Sequence, residues 1–211
     1  GEVWLCAGQS NMGWSTGNSF EAENESEVDL PGFRIFKSQR EHWHEPLEES
    51  RDRLKQWKLC TPESVAETSA VSYYFGKTLH QELGVPVGII VQAYAGTPIE
   101  GWMPWDIQQD DIRASEHKNA IDQNAERRIA RGETVANALA AFEKELVVYN
   151  EQIAAGVTMK NPFKALQPPF ITKPASLGHQ YPAHIYNAMI CPIRPYGIRG
   201  MIWYQGERNS K

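Results

Sequence analysis

The string Gly8-Gln9-Ser10-Asn11-Met12 places a serine just beyond a short apolar run, Val3-Trp4-Leu5-Cys6-Ala7. A serine hydroxyl is a weak nucleophile until a base removes its proton, and it needs a rigid, exposed support. An apolar run halting at a glycine reads as a buried strand that delivers a tight turn at its carboxyl end. Where such a turn opens a helix, the dipole and the free N–H groups favour the negative charge of a tetrahedral intermediate. Spacing alone leaves a second role equally open, because serine is a common helix N-cap.

Two further polar loops follow apolar runs. Residues 87–92 end in Ala93-Tyr94-Ala95-Gly96-Thr97-Pro98, and residues 200–204 end in Gln205-Gly206-Glu207-Arg208-Asn209. Gly96 allows a backbone N–H to approach a substrate oxygen, as an oxyanion hole requires; a plain turn glycine is the alternative. The amides of Gln205 and Asn209 can donate to a developing oxyanion, and Glu207 can order their loop. From the residues alone, a polar cluster after a strand is more often a cap or a satisfied hydrogen-bond network. Gln9 and Asn11 flank the serine as supporting residues.

The elements that must hold these loops are legible as a pattern. Residues 3–7, 87–92 and 200–204 are apolar runs of strand length, each expected to be a buried strand. Phe33-Arg34-Ile35-Phe36 alternates as a half-exposed strand does. Residues 69–83 read as a helix, with Val71, Phe75, Leu79 and Leu83 as its apolar stripe and Gly84 as its stop. The proline-free stretch 106–155 reads as one or two long helices, the last with Leu139, Phe142, Leu146, Tyr149 and Ile153 on one face. Residues 156–182 hold five of the thirteen prolines and read as an extended crossing segment. Strands and helices in this order predict an α/β fold with a mainly parallel sheet, in which ligands bind at the carboxyl ends of the strands. Loops 8–13, 93–100 and 205–210 then share one rim.

Composition narrows the chemistry. The net charge of −5 gives no electrostatic reason to expect nucleic acid or an anionic membrane as partner, and no apolar run reaches the length of a membrane span. Cys6, Cys60 and Cys191 form no CxxC pair and no zinc pattern, and read as buried free thiols, with one disulfide open to a secreted protein. His42 and His44 would share a face on a strand, but no third metal ligand accompanies them. The residues require neither a metal nor an organic cofactor. Trp14, Tyr94 and Trp102 stand near the rim and read either as platforms for sugar rings or as core.

The blocks Gly8-Gln9-Ser10-Asn11-Met12, Gly96-Thr97-Pro98-Ile99-Glu100 and Trp203-Tyr204-Gln205-Gly206-Glu207-Arg208-Asn209 occur in that order, with Ile185-Tyr186-Asn187-Ala188-Met189-Ile190 before the last. Together they resemble the sialate O-acetylesterase group of the SGNH hydrolases, related to carbohydrate esterase family six. The resemblance spans the chain apart from a helical stretch at about 106–160, which it marks as an insertion in one catalytic domain, 1–211. It implies a flavodoxin-like, three-layer α/β/α sandwich, incomplete at the C-terminus, and an exported or periplasmic enzyme. By resemblance Ser10 is the nucleophile, and its own N–H and that of Gly96 belong to the oxyanion hole. Gln205 or Asn209 supplies a side-chain donor there. Two departures stand out. Ala95 occupies a position where relatives often carry a second glycine, and no aspartate is followed three residues later by histidine. The family's Asp-x-x-His base is thus expected beyond the last residue of this chain, with His179 and His184 as weaker internal candidates.

The expected activity is hydrolysis of O-acetyl esters on carbohydrates, sialic acids or acetylated polysaccharides, through an acetyl-serine intermediate. The alternatives are a catalytically silent carbohydrate-binding fragment and an esterase for other short acyl chains. The residues leave the oligomeric state and the particular sugar open.

Overall fold

The computed structural model describes residues 1–20, 22–51, 56–156 and 178–210. It divides into two compact units, Gly1–Asp111 with His179–Lys211, and Ile112–Gly178. Most of the proline-rich segment expected to cross the surface, residues 157–177, lies outside the described residues.

The first unit is built on one five-stranded sheet. Its strands are β1 (Glu2–Gly8), β2 (Leu30–Lys37), β3 (Lys58–Cys60), β4 (Val87–Ala93) and β5 (Gly200–Tyr204). The order across the sheet is β3-β2-β4-β1-β5, with every pair parallel except β2–β3. The α/β class and the mainly parallel sheet agree with the pattern of apolar runs. The short antiparallel edge β3 has no such signal, because three residues carry too little periodicity to stand out.

Alternation along the central strands divides the core. Cys6, Ile89 and Val91 face one side, where they pack with Met12, Phe33, Val65 and Tyr73. Leu5, Ala7 and Ile90 face the other, against Trp102, Ile185, Ala188 and Met189. The first face is covered by the helices α1 (Pro62–Ala66) and α2 (Ala70–Leu83); the second by short turns, chiefly Tyr186–Ile190 and Cys191–Ile193. Three layers result, the third made of single helical turns. Cys6, Cys60 and Cys191 are all buried and free. Burial pushes the Cys6 and Cys60 thiols up to about 11, which leaves them inert at neutral pH.

Helix α2 shows where the periodicity reading needs correction. Ser69 caps it by accepting the Ser72 N–H at 3.1 Å, and Gly84 closes it in the left-handed conformation. The buried face is not the expected stripe of Val71, Phe75, Leu79 and Leu83. Val71 is 38% exposed and Leu83 51%, while Ser72, Tyr73 and Gly76 are buried. The reason is close approach. A Cβ on Gly76 would stand 2.5 Å from the Phe33 ring and 3.0 Å from Ile89, so the helix approaches the sheet most closely at this glycine. Glycine and serine carry little hydropathy, so this face left no apolar signal.

The same face holds a buried carboxylate. Glu25, 7% exposed, accepts a hydrogen bond from the Tyr73 hydroxyl and both of its oxygens lie 2.7 Å from Lys77 Nζ. Burial works to raise its pKa, but the hydrogen bonds from Lys77 and Tyr73 and the Lys77 charge together hold it below 4.5. A depressed carboxylate contributes stability above its unfolded pKa and loses it as pH falls through the folded value. Glu25→Gln is therefore expected to cost about 2 kcal/mol at pH 7 and to lower Tm by roughly 4–8 °C. The Tm difference should shrink as pH drops below 4.5. Thermal melts at pH 7 and pH 4 that differ from wild type equally would contradict this assignment.

Strand β5 was expected to be buried and is instead the exposed edge of the described sheet. Met201 is 54% exposed and Tyr204 45%. Hydropathy cannot distinguish an interior strand from one that ends a sheet.

The second unit contains α4 (Ile112–Ala130) and α5 (Val135–Ala154), following the short α3 (Trp105–Gln108) of the first. Thr134 caps α5 by accepting the Asn137 N–H at 3.2 Å. Phe142 and Tyr149 on the expected apolar face of α5 are half-buried, and Leu139, Leu146 and Ile153 are exposed.

Candidate active site

The register of three adjacent strands assembles the rim. Gly8 pairs with Ala93 on β4 and with Tyr204 on β5, so all three strands end level. The chain then leaves in loops cross-linked at their roots: Tyr94 N–H donates to Gly8 O at 2.9 Å and Gln9 N–H to Tyr204 O at 3.1 Å. Parallel pairing thereby gathers loops separated by roughly a hundred residues each, which is the physical basis of the strand-end rule.

Behind β1 there is one turn and no helix. Gly13 N–H is shared between Gln9 O at 3.1 Å and Ser10 O at 3.0 Å, and the next regular element is the three-residue turn Thr16–Asn18. The expectation of a helix N-terminus at Ser10 is corrected, and with it both the dipole argument and the N-cap alternative. Ser10 is exposed, and its hydroxyl makes no hydrogen bond among the described residues. Its position is held by its neighbours. Gln9 is buried, and Met12 is fully buried with its sulfur 3.5 Å from Ser72 Oγ and 3.7 Å from Ser69 Oγ. Asn11 donates its side-chain amide to Glu207, which ties the first loop to the third.

Gly96 has φ +71° and open space where a Cβ would project. Glycine is selected there by conformation and not by crowding. The backbone N–H groups of Ser10 and Gly96 donate to nothing among the described residues, as is also true of Asn11, Met12, Ala95 and Thr97 beside them. The Gly96 loop is nonetheless tied by hydrogen bonds of Thr97. Thr97 Oγ1 donates to Tyr94 O at 2.7 Å and accepts from Trp102 Nε1 at 2.9 Å. Trp102 is buried and meets Trp203 edge to face, so it is core and not a sugar platform; Trp14 is exposed and Tyr94 half-buried.

The third-loop amides turn toward the second loop. Gln205 Nε2 donates to Thr97 O at 2.5 Å, and its Oε1 is buried with no hydrogen-bond partner among the described residues. Asn209 is held at both ends: its Oδ1 accepts from Ile99 N–H at 2.9 Å, and its Nδ2 lies 2.9 and 3.2 Å from the two Glu100 oxygens. The sequence signalled these residues as donors without indicating what they donate to.

The histidines are placed unevenly. His184 is buried beside Tyr181. His179 stacks on Tyr94 with ring centres 4.7 Å apart, and His42 Nδ1 lies 3.3 Å from the Tyr94 hydroxyl. Burial, helped by the Arg208 charge, lowers the His179 pKa below the ordinary imidazole value. The adjacent Gln180 donates to Gly96 O at 3.4 Å and accepts from Arg208 at 3.1 Å, so this segment adjoins the rim. Sequence spacing could not foresee the His42–Tyr94–His179 cluster, since its members come from three loops. His42 and His44 do not lie on a strand, and among the described residues no group of three or more His, Cys, Asp or Glu is arranged to hold a metal ion. No helix of the described residues is long and apolar enough to cross a membrane.

The site is thus an α/β rim on which a mainly parallel sheet presents a serine turn, a glycine turn and an amide-bearing turn. The chain belongs to the family described as carbohydrate esterase, sialic acid-specific acetylesterase, whose model matches residues 1–129. It is 27% identical over 217 residues to the sialate O-acetylesterase of Rattus norvegicus, covering 100% of this chain and 35% of the relative. It is 26% identical over 218 residues to that of Homo sapiens, covering 99% of this chain and 31% of the relative. A crystal structure of a carbohydrate acetylesterase from Xanthomonas citri shares the fold with a TM-score of 0.64 at 24% identity, covering 100% of this chain and 33% of that one. The chain thus spans about a third of the length of the relatives it matches.

Proposed function

We propose that the protein hydrolyses O-acetyl esters on carbohydrates, with sialic acids as the leading substrate class, and that Ser10 is its nucleophile. Ser10 Oγ attacks the acetyl carbonyl carbon while a general base takes the hydroxyl proton. The carbonyl electron pair moves onto oxygen, and the N–H groups of Ser10 and Gly96 receive that charge. Collapse of the intermediate expels the sugar oxygen, which takes the proton from the base, and leaves an acetyl-serine. Water then attacks this ester with the same proton transfers in reverse, releasing acetate. An exposed Ser10 hydroxyl and the backbone N–H groups of Ser10 and Gly96, none with a hydrogen-bond partner among the described residues and borne on the ends of paired strands, support this reading within a family of acetylesterases.

Gln205 is the better candidate for the side-chain donor. A carboxamide has two N–H groups, and among the described residues Gln205 Nε2 makes one hydrogen bond, to Thr97 O. Asn209 is already engaged on both sides.

The test is acetate release by the full-length protein from 9-O-acetylated sialic acid, together with a p-nitrophenyl ester series. Acetate is expected to be turned over at least about tenfold faster than butyrate, since each misfit methylene costs roughly 1–3 kcal/mol in a shaped pocket. Equal or faster cleavage of butyrate would remove the acetyl assignment. Sugar binding without acetate release would favour the carbohydrate-binding alternative.

A further inference from the structure

We infer that Glu100 is a positioning residue for this site, acting through Asn209 to hold the second and third rim loops in one arrangement; the inference rests on the esterase reading above. Glu100 belongs to the turn Ile99–Trp102 that follows the Gly96 loop. Its own backbone is anchored from below, where buried Gln108 donates Nε2 to Glu100 O at 2.9 Å and to Met103 O at 2.8 Å. Its carboxylate therefore projects from a fixed point.

A carboxylate can only accept and an amide N–H can only donate, so the pair of contacts on Asn209 admits a single orientation. With Nδ2 facing Glu100 at 2.9 and 3.2 Å, Oδ1 faces Ile99 N–H at 2.9 Å. Rotating the amide by half a turn would set two acceptors against each other and two donors against each other. Glu100 thereby dictates that Asn209 accepts from Ile99, three residues from Gly96. The bond from Gln205 to Thr97 O joins the same two loops one turn earlier. Asn209 works as a clamp and not as an oxyanion donor, with both faces of its amide committed to residues 99–100.

These groups are exposed or half-exposed, so water competes for them and their share of global stability is small. Their effect is local. Displacement of a reacting group by about 1 Å can cost on the order of a hundredfold in rate. Loss of the clamp should consequently appear in kcat and not in Tm.

The experiment compares Glu100→Ala, Glu100→Gln, Asn209→Ala and the pair Glu100→Ala/Asn209→Ala in the full-length protein. Glu100→Ala is expected to lower kcat about 10- to 100-fold, with KM within threefold and Tm within about 3 °C of wild type. Glu100→Gln keeps an acceptor oxygen at the same reach and should recover most of that loss. The double variant should lose no more than Asn209→Ala alone, because the two side chains act as one unit. A second reading uses amide exchange at residues 96–99, expected to quicken about tenfold in Glu100→Ala. A Glu100→Ala protein with kcat within twofold of wild type, or a loss seen in Tm alone, overturns the inference. If wild type releases no acetate, the esterase reading falls and the exchange measurement decides the clamp by itself: unchanged exchange overturns it.

Discussion

Ser10→Ala is expected to lower deacetylation by about 10⁴- to 10⁶-fold in the full-length protein, while Tm stays within about 2 °C of wild type. The size follows from covalent catalysis, in which removing the nucleophile leaves only binding and the oxyanion donors, and such losses reach about 10⁶ in serine hydrolases. The negligible stability change follows from the structure. The Ser10 hydroxyl is exposed and makes no hydrogen bond among the described residues, and no helix depends on it for a cap. A capping serine would behave differently, costing about 1 kcal/mol when replaced by alanine. Retention of more than about 1% of wild-type turnover by Ser10→Ala would reject the nucleophile assignment. A large fall in Tm would instead return Ser10 to a structural role.

Gly8→Ala is expected to have the largest effect on folding. Gly8 has φ +148°, and a Cβ built on it would stand 2.1 Å from Tyr204 O and 2.8 Å from Tyr204 C. Both are backbone atoms of the paired strand β5, so no side chain can swing aside to make room. Either the β1–β5 pairing opens or the Gly8 backbone moves to another conformation, and each breaks the Gln9 N–H bond to Tyr204 O. The cost should be about 4 kcal/mol or more, a fall of roughly 8 °C or more in Tm, or failure to accumulate as folded protein. Thermal unfolding of the purified variant checks this, and a Tm within 2 °C of wild type would show that the crowding is relieved at little cost. The contrast is informative because the two positions are two residues apart. One removes chemistry and spares the fold; the other removes the platform.

Much of the architecture was legible from residue order. Apolar runs halting at glycine marked β1 and β4, Gly84 marked the end of α2, and the proline-free stretch after residue 105 marked α4 and α5. These signals survive because each is local, a hydrophobic period or a backbone conformation that glycine alone adopts easily. The readings that failed depended on neighbours. The apolar stripe on α2 yields to Ser72, Tyr73 and Gly76 because Gly76 lets the helix approach Phe33 and Ile89 closely, while Tyr73 is buried with its hydroxyl paired to Glu25. The exposure of β5 depends on its place at the sheet edge, which no property of Met201, Trp203 or Tyr204 encodes. Trp102 is buried because Thr97 offers its indole N–H a partner inside the protein.

For the site, the amino-acid sequence by itself determined which residue types lie at the strand ends: a serine, a glycine with freedom at φ, and a cluster of amides. It also determined that the serine turn would follow a buried strand, since an apolar run reaches its limit at Gly8. Only the tertiary structure decided that the serine turn is free-standing and not a helix start, that Gln205 and Asn209 face the second loop, and that Glu100 holds one of them. The physical reason is the same throughout. Side-chain amides and carboxylates are directed by partners brought close through strand register, and Asn209 and Glu100, over a hundred residues apart in the chain, meet only once β1, β4 and β5 have aligned.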